Sequence, residues 1–380
     1  MSGEWILIRD ISEQDYPLLP KLLYQAIPLA PDTDLTMQEL LLQPKHSVYV
    51  EDFGGKHDFG VVAELDGSVV GAAWARLITA YGYVDDETPE LVVSVLPNYR
   101  GQGIGTRLLE QLFEILNWHS FLRVSLEVRQ DNPALRLYER LGFKTVREAD
   151  ESLVMVKEFP PEKMTSFFAA RVDIYDDHML AGTELGKFYQ NIPNWIDFPD
   201  PDLRLLDLGC GTGLELEGLF KKYPDMQVTG IDLSREMLDR LRMKYPDKPM
   251  NLVCASYFDA DFPEGFDVAL SIYSLHHFSE DAKRGLYQKI CAALRLEGAF
   301  ILGDFTVSSQ ELQDHCLAES IRIRAEHGLA ADEFYHIDTP FTTETEIRLL
   351  KEAGFTTVNV LHQEEYASVI IAYAKASAET

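Results

Sequence analysis

The sequence predicts an α/β protein of two domains, and three observations lead to this prediction. An apolar run, 203–208, ends in the turn Gly209-Cys210-Gly211-Thr212-Gly213 and is followed by apolar residues at helical spacing. Strand, glycine turn and helix in this order typically open a doubly wound sheet. A second apolar run, 90–96, also leads into a glycine-rich turn and a helical pattern. The length of 380 residues exceeds one ordinary domain.

The domain boundary is predicted from a break in the pattern of helices and strands. The segment Phe159-Pro160-Pro161-Glu162-Lys163 can continue neither a strand nor a helix. We therefore expect an N-terminal domain over 1–158, a linker over 159–170 and a C-terminal domain over 171–380.

Composition restricts the classes of function. With 34 basic and 62 acidic residues the net charge is −28, so the surface repels phosphate backbones and nucleic acid is an unexpected partner. Such a surface attracts cationic acceptors such as amines, although a role in solubility alone explains the charge as well. No membrane-spanning run and no signal-peptide pattern is seen. The four cysteines lie far apart and are expected to be reduced thiols of a cytoplasmic protein.

The N-terminal domain is predicted to place a hairpin before a central strand. Two strand-like runs, 60–65 and 68–76, are joined by Asp66-Gly67, a strong hairpin signal. The near-continuous apolar character of 90–96 indicates a central strand. Further predicted elements are the helices 16–27 and 107–117 and the strands 121–128 and 154–159.

A phosphate-binding loop is predicted directly after the central strand. Residues 97–106 read PNYRGQGIGT, and glycines before a helix start present successive N–H groups, which suit a pyrophosphate. The ATP-binding loop is excluded because it requires a lysine after its last glycine. Arg100 and Arg107 add positive charge in an otherwise acidic chain.

Together with a second signature, this loop resembles the GCN5-related N-acetyltransferases (GNATs). The loop matches R-x-x-G-x-G at Arg100, Gly103 and Gly105, and the run from Asn132 through Tyr138 to Leu141-Gly142-Phe143 matches downstream. The resemblance implies acetyl-CoA as cofactor, lying between two splayed parallel strands. It implies cofactor contacts at Val93, Val95, Arg100, Gly101, Gln102, Gly103, Ile104, Gly105, Thr106 and Asn132. It also implies that Tyr138 protonates the leaving thiolate and that Glu90 deprotonates the amine. A core tyrosine and a solvated strand end are the simpler alternatives for these two residues.

The C-terminal glycine turn indicates a different ligand. Its third glycine comes one residue too early for a dinucleotide turn. A second apolar strand, 226–231, ends in Asp232, at the distance from the glycines at which a carboxylate reaches a ribose.

This two-part motif resembles the class I S-adenosylmethionine-dependent methyltransferases. The resemblance implies a Rossmann-like sheet of seven strands, with S-adenosylmethionine (SAM) as cofactor. Implied cofactor contacts are Tyr175, Asp207, Gly209, Cys210, Gly211, Gly213, Asp232, Leu233, Met237, Ser256, Tyr257, Ser271 and Tyr273. Relatives often carry aspartate where Ser256 stands. The segment 167–176 resembles a lid over the cofactor, although amphipathic packing explains it equally well.

No metal site is expected. His276 and His277 are adjacent and should point in different directions, without the spacing of a metal motif. His276 is a candidate base for the acceptor, while a lining role is the simpler interpretation. The insertion 308–336 is predicted to form two helical stretches separated at Gly328 and to cover the acceptor pocket.

The sequence thus predicts a bifunctional transferase, with acetyl transfer to an amine in the N-terminal half and methyl transfer to a small molecule in the C-terminal half. In one alternative, the N-terminal domain is an acetyl-CoA sensor or docking module without activity. In another, it is the working enzyme and the methyltransferase fold only binds its cofactor.

Overall fold

The computed structural model describes residues 6–27, 36–181, 183–198, 202–330 and 333–374. The chain divides into two compact units, Met1–Pro160 and Pro161–Thr380. The segment expected to be a linker forms a helix of the second unit, Met164–Arg171. Met164 belongs to the hydrophobic core of that unit, which is why the segment is ordered rather than a connector.

The N-terminal unit contains a mixed sheet of seven strands. These are β1 (Leu7–Asp10), β2 (Asp58–Leu65), β3 (Ser68–Arg76), β4 (Glu90–Val95), β5 (Arg123–Arg129), β6 (Lys144–Ala149) and β7 (Ser152–Glu158). The helices are α1 (Leu19–Ala26), α2 (Met37–Leu41), α3 (Pro44–Ser47), α4 (Ile104–Trp118) and α5 (Leu135–Arg140). The strand order is β1-β2-β3-β4-β5-β7-β6.

Each face of this sheet is covered by a helix, and the alternation of side chains along β2 shows why. Val61 and Ala63 point into the core that includes Leu108 of α4, whereas Val62 packs with Leu22 of α1. The predicted hairpin is confirmed: β2 and β3 are antiparallel around Asp66-Gly67. Strand β6 was not predicted because all six of its residues are exposed, so it carries no alternation of buried and solvated positions.

The C-terminal unit contains a second sheet of seven strands, with most of its helices on the sheet faces. Its strands are β8 (Arg204–Leu208), β9 (Gln227–Asp232), β10 (Met250–Cys254), β11 (Phe266–Ile272), β12 (Leu294–Phe305), β13 (Thr357–Gln363) and β14 (Ala367–Tyr373). Its helices are α6 (Met164–Arg171), α7 (Tyr175–Ala181), α8 (Thr183–Trp195), α9 (Leu216–Lys222), α10 (Arg235–Lys244), α11 (Glu280–Ala293), α12 (Gln310–Glu326) and α13 (Thr343–Glu352).

The strand order in this unit is β10-β9-β8-β11-β12-β14-β13. The first five strands are parallel neighbours, and β14 inserts antiparallel between β12 and β13. The order reverses between β8 and β11, so the carboxyl ends of these strands border a crevice where ligands bind in such sheets. The doubly wound sheet predicted from the sequence is confirmed.

Three further findings concern the insertion, the described helices and the cysteines. The insertion carries one helix, α12, whereas the second helical stretch predicted after Gly328 is wrong for the described residues there, 329–330 and 333–336. None of the described helices is long and apolar enough to cross a membrane. The cysteines are free thiols, as expected.

Candidate active sites

The central strands of the N-terminal sheet separate after a single paired position. In the described chain, β4 and β5 are in register at Glu90 and Ser125, where the Ser125 N–H also donates to the Pro89 carbonyl at 2.9 Å. Val93 and Val95 pair with β3 on their other side. The β5-facing backbone of β4 is therefore open along a gap in the sheet, as the sequence predicted.

The glycine loop at the end of β4 leaves space in front of a helix start. Gly101 and Gly103 have φ of +74° and +80°, and a Cβ built on either would have no atom within 4 Å. Glycine is favoured at these two positions by the positive φ and by the open space that a ligand can enter, and not by crowding within the chain. Gly103 is the N-cap of α4, and no side chain caps that helix end. Its first N–H groups can therefore receive an anion.

Arg100 in the loop and Arg107 in α4 make backbone contacts that the sequence did not predict. The Arg100 guanidinium donates to the carbonyl oxygens of Val95 at 2.8 Å and Gln25 at 3.0 Å. Arg107 donates to the carbonyl of Ile6 at 2.9 Å. Both side chains therefore tie the loop and helix to neighbouring backbone, in addition to placing positive charge beside the loop.

Glu90 is buried, with 1% of its surface exposed, so the interpretation as a solvated strand end is wrong. Its Oε1 accepts hydrogen bonds from the Tyr49 hydroxyl and from the Gly82 N–H at 2.6 Å. Its Oε2 is buried and has no hydrogen-bond donor among the described residues. Burial raises the pKa of Glu90 to about 7, although these two donors oppose the rise. A carboxyl with this pKa exchanges a proton near neutral pH.

The second signature covers helix α5, which contains Tyr138, and the turn before it, which contains Asn132. Tyr138 is part of the core and packs edge-on against Phe143 with ring centroids 5.7 Å apart. Burial raises its pKa to about 12, so the hydroxyl carries its proton at neutral pH. The Oδ1 of Asn132 accepts from the Ala134 N–H at 2.9 Å in the turn that precedes α5, which leaves the side-chain NH₂ group of Asn132 as a donor.

In the C-terminal unit, the glycine turn packs closely against the following loops. A Cβ on Gly209 would lie 2.1 Å from Ser274 Oγ, and its φ is +74°. At Gly211 the nearest atom would be the Tyr175 hydroxyl, 3.9 Å away. Glycine is therefore required at 209 by its own chain, whereas at 211 the missing side chain leaves open space.

Asp232 ends β9 beside this turn. Its Oδ2 accepts from the Gly211 N–H at 2.9 Å and its Oδ1 from the Ser234 N–H at 2.8 Å. Burial raises the pKa of Asp232, and the backbone donors partly oppose the rise. The turn and the carboxylate predicted to share a ligand are thus in direct contact.

A cavity that opens to solvent lies at this contact, with about 540 Å³ of empty space including the solvent at its mouth. Its lining consists of Met164, Phe168, Tyr175, Gly209, Gly211, Asp232, Leu233, Ser234, Met237, Tyr257, Tyr273, Ser274 and His277. The segment predicted to form a lid contributes Phe168 and Tyr175. Met164, Ser234, Ser274 and His277 had not been predicted as cofactor contacts, since isolated residues in loops and caps carry no periodic signal.

Several predicted contacts do not line the cavity. Ser256 accepts from the Phe258 N–H at 3.2 Å, and Ser271 donates to the Leu208 carbonyl at 3.0 Å. Cys210 is buried with its sulfur over Gly230, and Gly213 packs against Leu241. These four residues support the turn and the strand ends, and none of them lines this cavity.

Asp207 is also buried, near Glu215, a residue absent from the prediction. Glu215 is buried as well, and burial raises the pKa of both carboxyls. Each carboxyl therefore favours its uncharged, protonated form more than a free carboxyl does.

The histidines after β11 form a buried group that includes distant parts of the chain. His276 Nδ1 lies 2.6 Å from Asp304 Oδ1. Burial alone would lower the pKa of His276, but Asp304 outweighs this and raises it. His277 lies 3.1 Å from Asp338 through Nδ1, and its ring centroid is 5.0 Å from that of His336. His336 stacks on Phe167 at 3.8 Å.

Together these features define the class of the chain. One unit is a mixed sheet that opens at a glycine loop, and the other is a doubly wound sheet with an acidic strand end beside a glycine turn. Residues 22–143 match the family described as Acetyltransferase (GNAT) family, and residues 205–298 match the Methyltransferase domain. The chain joins a GNAT-family domain to a class I, SAM-dependent methyltransferase domain.

Proteins similar to this chain include carboxy-S-adenosyl-L-methionine synthases and an O-methyltransferase. The carboxy-S-adenosyl-L-methionine synthase of Trichodesmium erythraeum is 25% identical over 56% of this chain and 89% of its own length. That of Helicobacter hepaticus is 28% identical over 41% of this chain and 69% of its own length. The O-methyltransferase cnsE of Penicillium expansum is 31% identical over 41% of this chain and 53% of its own length.

Proposed function

We propose that the C-terminal unit transfers the methyl group of SAM to a small-molecule acceptor, and that the N-terminal unit transfers the acetyl group of acetyl-CoA to an amine. The observation that carries the proposal for methyl transfer is the cavity in which the Asp232 carboxylate meets the glycine turn. For acetyl transfer it is the open gap between β4 and β5, which has a buried carboxyl at its closed end.

In the C-terminal cavity, Asp232 accepts hydrogen bonds from the two ribose hydroxyls, because its oxygens have lone pairs beyond those used by Gly211 and Ser234. Met237 and Tyr257 supply apolar surface for the adenine. The open space at Gly211 takes the methionine part of the cofactor. SAM supplies a methyl group already activated by the positive sulfur, so the chain has to position the acceptor and exclude water.

This assignment is tested by the affinity of the full chain for SAM and S-adenosylhomocysteine, measured by calorimetry. Asp232→Asn should weaken binding at least tenfold, since the amide NH₂ meets the ribose hydroxyls and the Gly211 and Ser234 N–H groups with a donor. Asp239→Asn is the matched control, because Asp239 is exposed on the adjacent helix α10. Equal affinities of the two variants would refute the ribose contact.

In the N-terminal unit, the backbone of β4 from Val93 to Val95 would hydrogen-bond the pantetheine arm as an added strand. The start of α4 receives the pyrophosphate. Glu90 Oε2, which lacks a donor among the described residues, takes the proton of the amine. Tyr138, protonated at neutral pH, donates to the departing thiolate. Acetyl-CoA supplies the thioester that is attacked.

The test is CoA release from acetyl-CoA in the presence of a panel of small primary amines. Glu90→Gln should lower kcat/KM about 10²-fold or more and remove the acidic limb of the pH profile near pH 7. Glu158→Gln, at an exposed strand end, is the control. If acetyl-CoA binds and no amine releases CoA, the N-terminal unit is a sensor or docking module. The burial of Tyr138 in the core favours that second function.

A further inference from the structure

We propose that His276, His277 and Asp338 bind one divalent first-row transition ion at the edge of the C-terminal cavity. We further infer that this ion holds an oxygen of the methyl acceptor, a step that rests on the proposed methyltransferase function. The sequence did not suggest this site, because its third member lies about sixty residues further along the chain.

The three side chains lie close enough for small movements to bring them onto one ion, although the 3.8 Å separation exceeds that of two ligands sharing an ion. Ligand atoms of His276, His277 and Asp338 all lie within 4.8 Å of one another. Asp338 Oδ1 is 3.1 Å from His277 Nδ1 and 3.8 Å from His276 Nε2. Two ligands at about 2.1 Å from a metal lie about 3.0 Å apart at a right angle and about 3.4 Å apart in a tetrahedron.

The orientation of His276 also supports a ligand role. Asp304 Oδ1 is 2.6 Å from Nδ1, so a neutral ring bound to a metal would carry its proton on that nitrogen and use Nε2, 3.8 Å from Asp338 Oδ1, as the ligand. Asp304 is itself fixed, because its Oδ2 accepts from the Leu275 N–H and its Oδ1 from the Phe305 N–H, each at 3.0 Å. A carboxylate that orients a histidine in this way is the usual second layer of a metal site.

Asp338 places a carboxylate oxygen beside both imidazoles. Its Oδ1 is shielded from solvent and faces His277 Nδ1 at 3.1 Å and His276 Nε2 at 3.8 Å, and His277 Nδ1 also lies 3.3 Å from the Ile337 carbonyl oxygen. A carboxylate oxygen in this setting is stabilised by a neighbouring cation, which a metal ion would supply. An ion pair between a protonated His277 and Asp338 is the competing explanation, and it requires no metal.

The ligand set indicates the kind of ion and its use. Two imidazoles and one carboxylate suit Zn²⁺, Fe²⁺ or Co²⁺, whereas Mg²⁺ and Ca²⁺ prefer oxygen ligands alone. His277 lines the cavity, so an open position on the ion faces the acceptor. A hydroxyl bound there loses its proton to water more readily. Its oxygen then bonds to the methyl carbon as the methyl–sulfur bond breaks, leaving a neutral thioether.

The test uses the full chain, untagged, stripped with a chelator and titrated with Co²⁺. We expect one ion per chain, with visible absorption of a four- or five-coordinate site, and Zn²⁺ should displace the Co²⁺. His277→Ala and Asp338→Asn should abolish binding, and Asp304→Asn should weaken it about 10- to 100-fold. His362→Ala is the control, because the His362 Nε2 lies 2.9 Å from Glu364 in an exposed pair of similar composition.

S-adenosylhomocysteine affinity measured on the same samples separates the two levels of the proposal and reports whether each variant has folded. A chain that binds S-adenosylhomocysteine but no Co²⁺ overturns the metal site and leaves the proposed function intact. Co²⁺ binding that persists in both His277→Ala and Asp338→Asn, or that His362→Ala removes, also overturns it. A chain that binds Co²⁺ but no S-adenosylhomocysteine retains the metal site and refutes the role toward a methyl acceptor.

Discussion

Replacing Glu90 by glutamine should change how the stability of the N-terminal unit depends on pH. The pKa of Glu90 is raised by burial to about 7 in the folded chain, whereas an unfolded glutamate titrates near 4.5. The folded state therefore binds this proton more tightly than the unfolded state does. The stabilisation is complete below the unfolded pKa and is lost as the pH rises through the folded one.

The magnitude follows from the two pKa values. Between pH 5 and pH 8 the wild-type chain should lose about 2.5 kcal/mol of stability through this one carboxyl, at 1.36 kcal/mol per tenfold change in proton affinity. Glutamine does not titrate, and its Oε1 can still accept from Tyr49 and Gly82. The difference in unfolding free energy between wild type and Glu90→Gln should therefore shift by about 2.5 kcal/mol across this range, in favour of the variant at high pH.

The assay is urea denaturation followed by tryptophan fluorescence in a Trp195→Phe background. The remaining tryptophans, Trp5, Trp74 and Trp118, all precede Pro161, so the signal reports the N-terminal unit. Other groups that titrate in this range cancel in the difference between the two proteins. A difference that stays constant from pH 5 to pH 8 would refute the raised pKa and, with it, Glu90 as a base near neutral pH.

Three further predictions concern stability and binding. Lys283→Ala should cost about 3 to 5 kcal/mol of unfolding free energy by urea denaturation, because Lys283 and Glu346 form an ion pair in which each side chain is at most 2% exposed. The buried Tyr287 hydroxyl also donates to Glu346 at 2.6 Å, so the triple variant Lys283→Met/Tyr287→Phe/Glu346→Leu should recover most of this loss. Gly209→Ala should lower the thermal midpoint and abolish SAM binding, since its Cβ meets Ser274; normal affinity would contradict this. Gly103→Ala should lower the unfolding free energy by about 1 kcal/mol, because an alanine is strained at the positive φ of this position. It should also weaken the binding of acetyl-CoA measured by calorimetry. A larger loss of unfolding free energy would indicate a clash of the added Cβ, contrary to this prediction.

The fold was predictable because its signals are local. Apolar runs of strand length, glycine turns and the Asp66-Gly67 hairpin each specify a neighbourhood of a few residues. Strand β6 was not predicted because every residue in it is exposed. The helical stretch expected after Gly328 is wrong because Tyr335 instead forms a β-bridge with Lys163, and such a pairing leaves no periodic pattern in the sequence.

The sites were predictable only where one sequence motif specifies both where its residues lie in the fold and what kind of ligand they bind. Gly211 and Asp232 were identified as partners from their spacing, and they are in contact. The environment of Glu90 was not, because Tyr49 donates to it from forty-one residues earlier. Asp338 likewise reaches His277 from a loop far along the chain, so tertiary packing alone brings these charges together.

The position of Glu90 at the closed end of the gap in the N-terminal sheet determines which substitutions can alter the acceptor without moving this carboxyl. Main-chain pairing with Ser125 fixes the backbone of Glu90, whereas its carboxyl is held by the Tyr49 hydroxyl and by the N–H of Gly82 in the loop before β4. A change in that loop would therefore move the proton acceptor, whereas changes elsewhere around the gap would admit different acceptors without moving it.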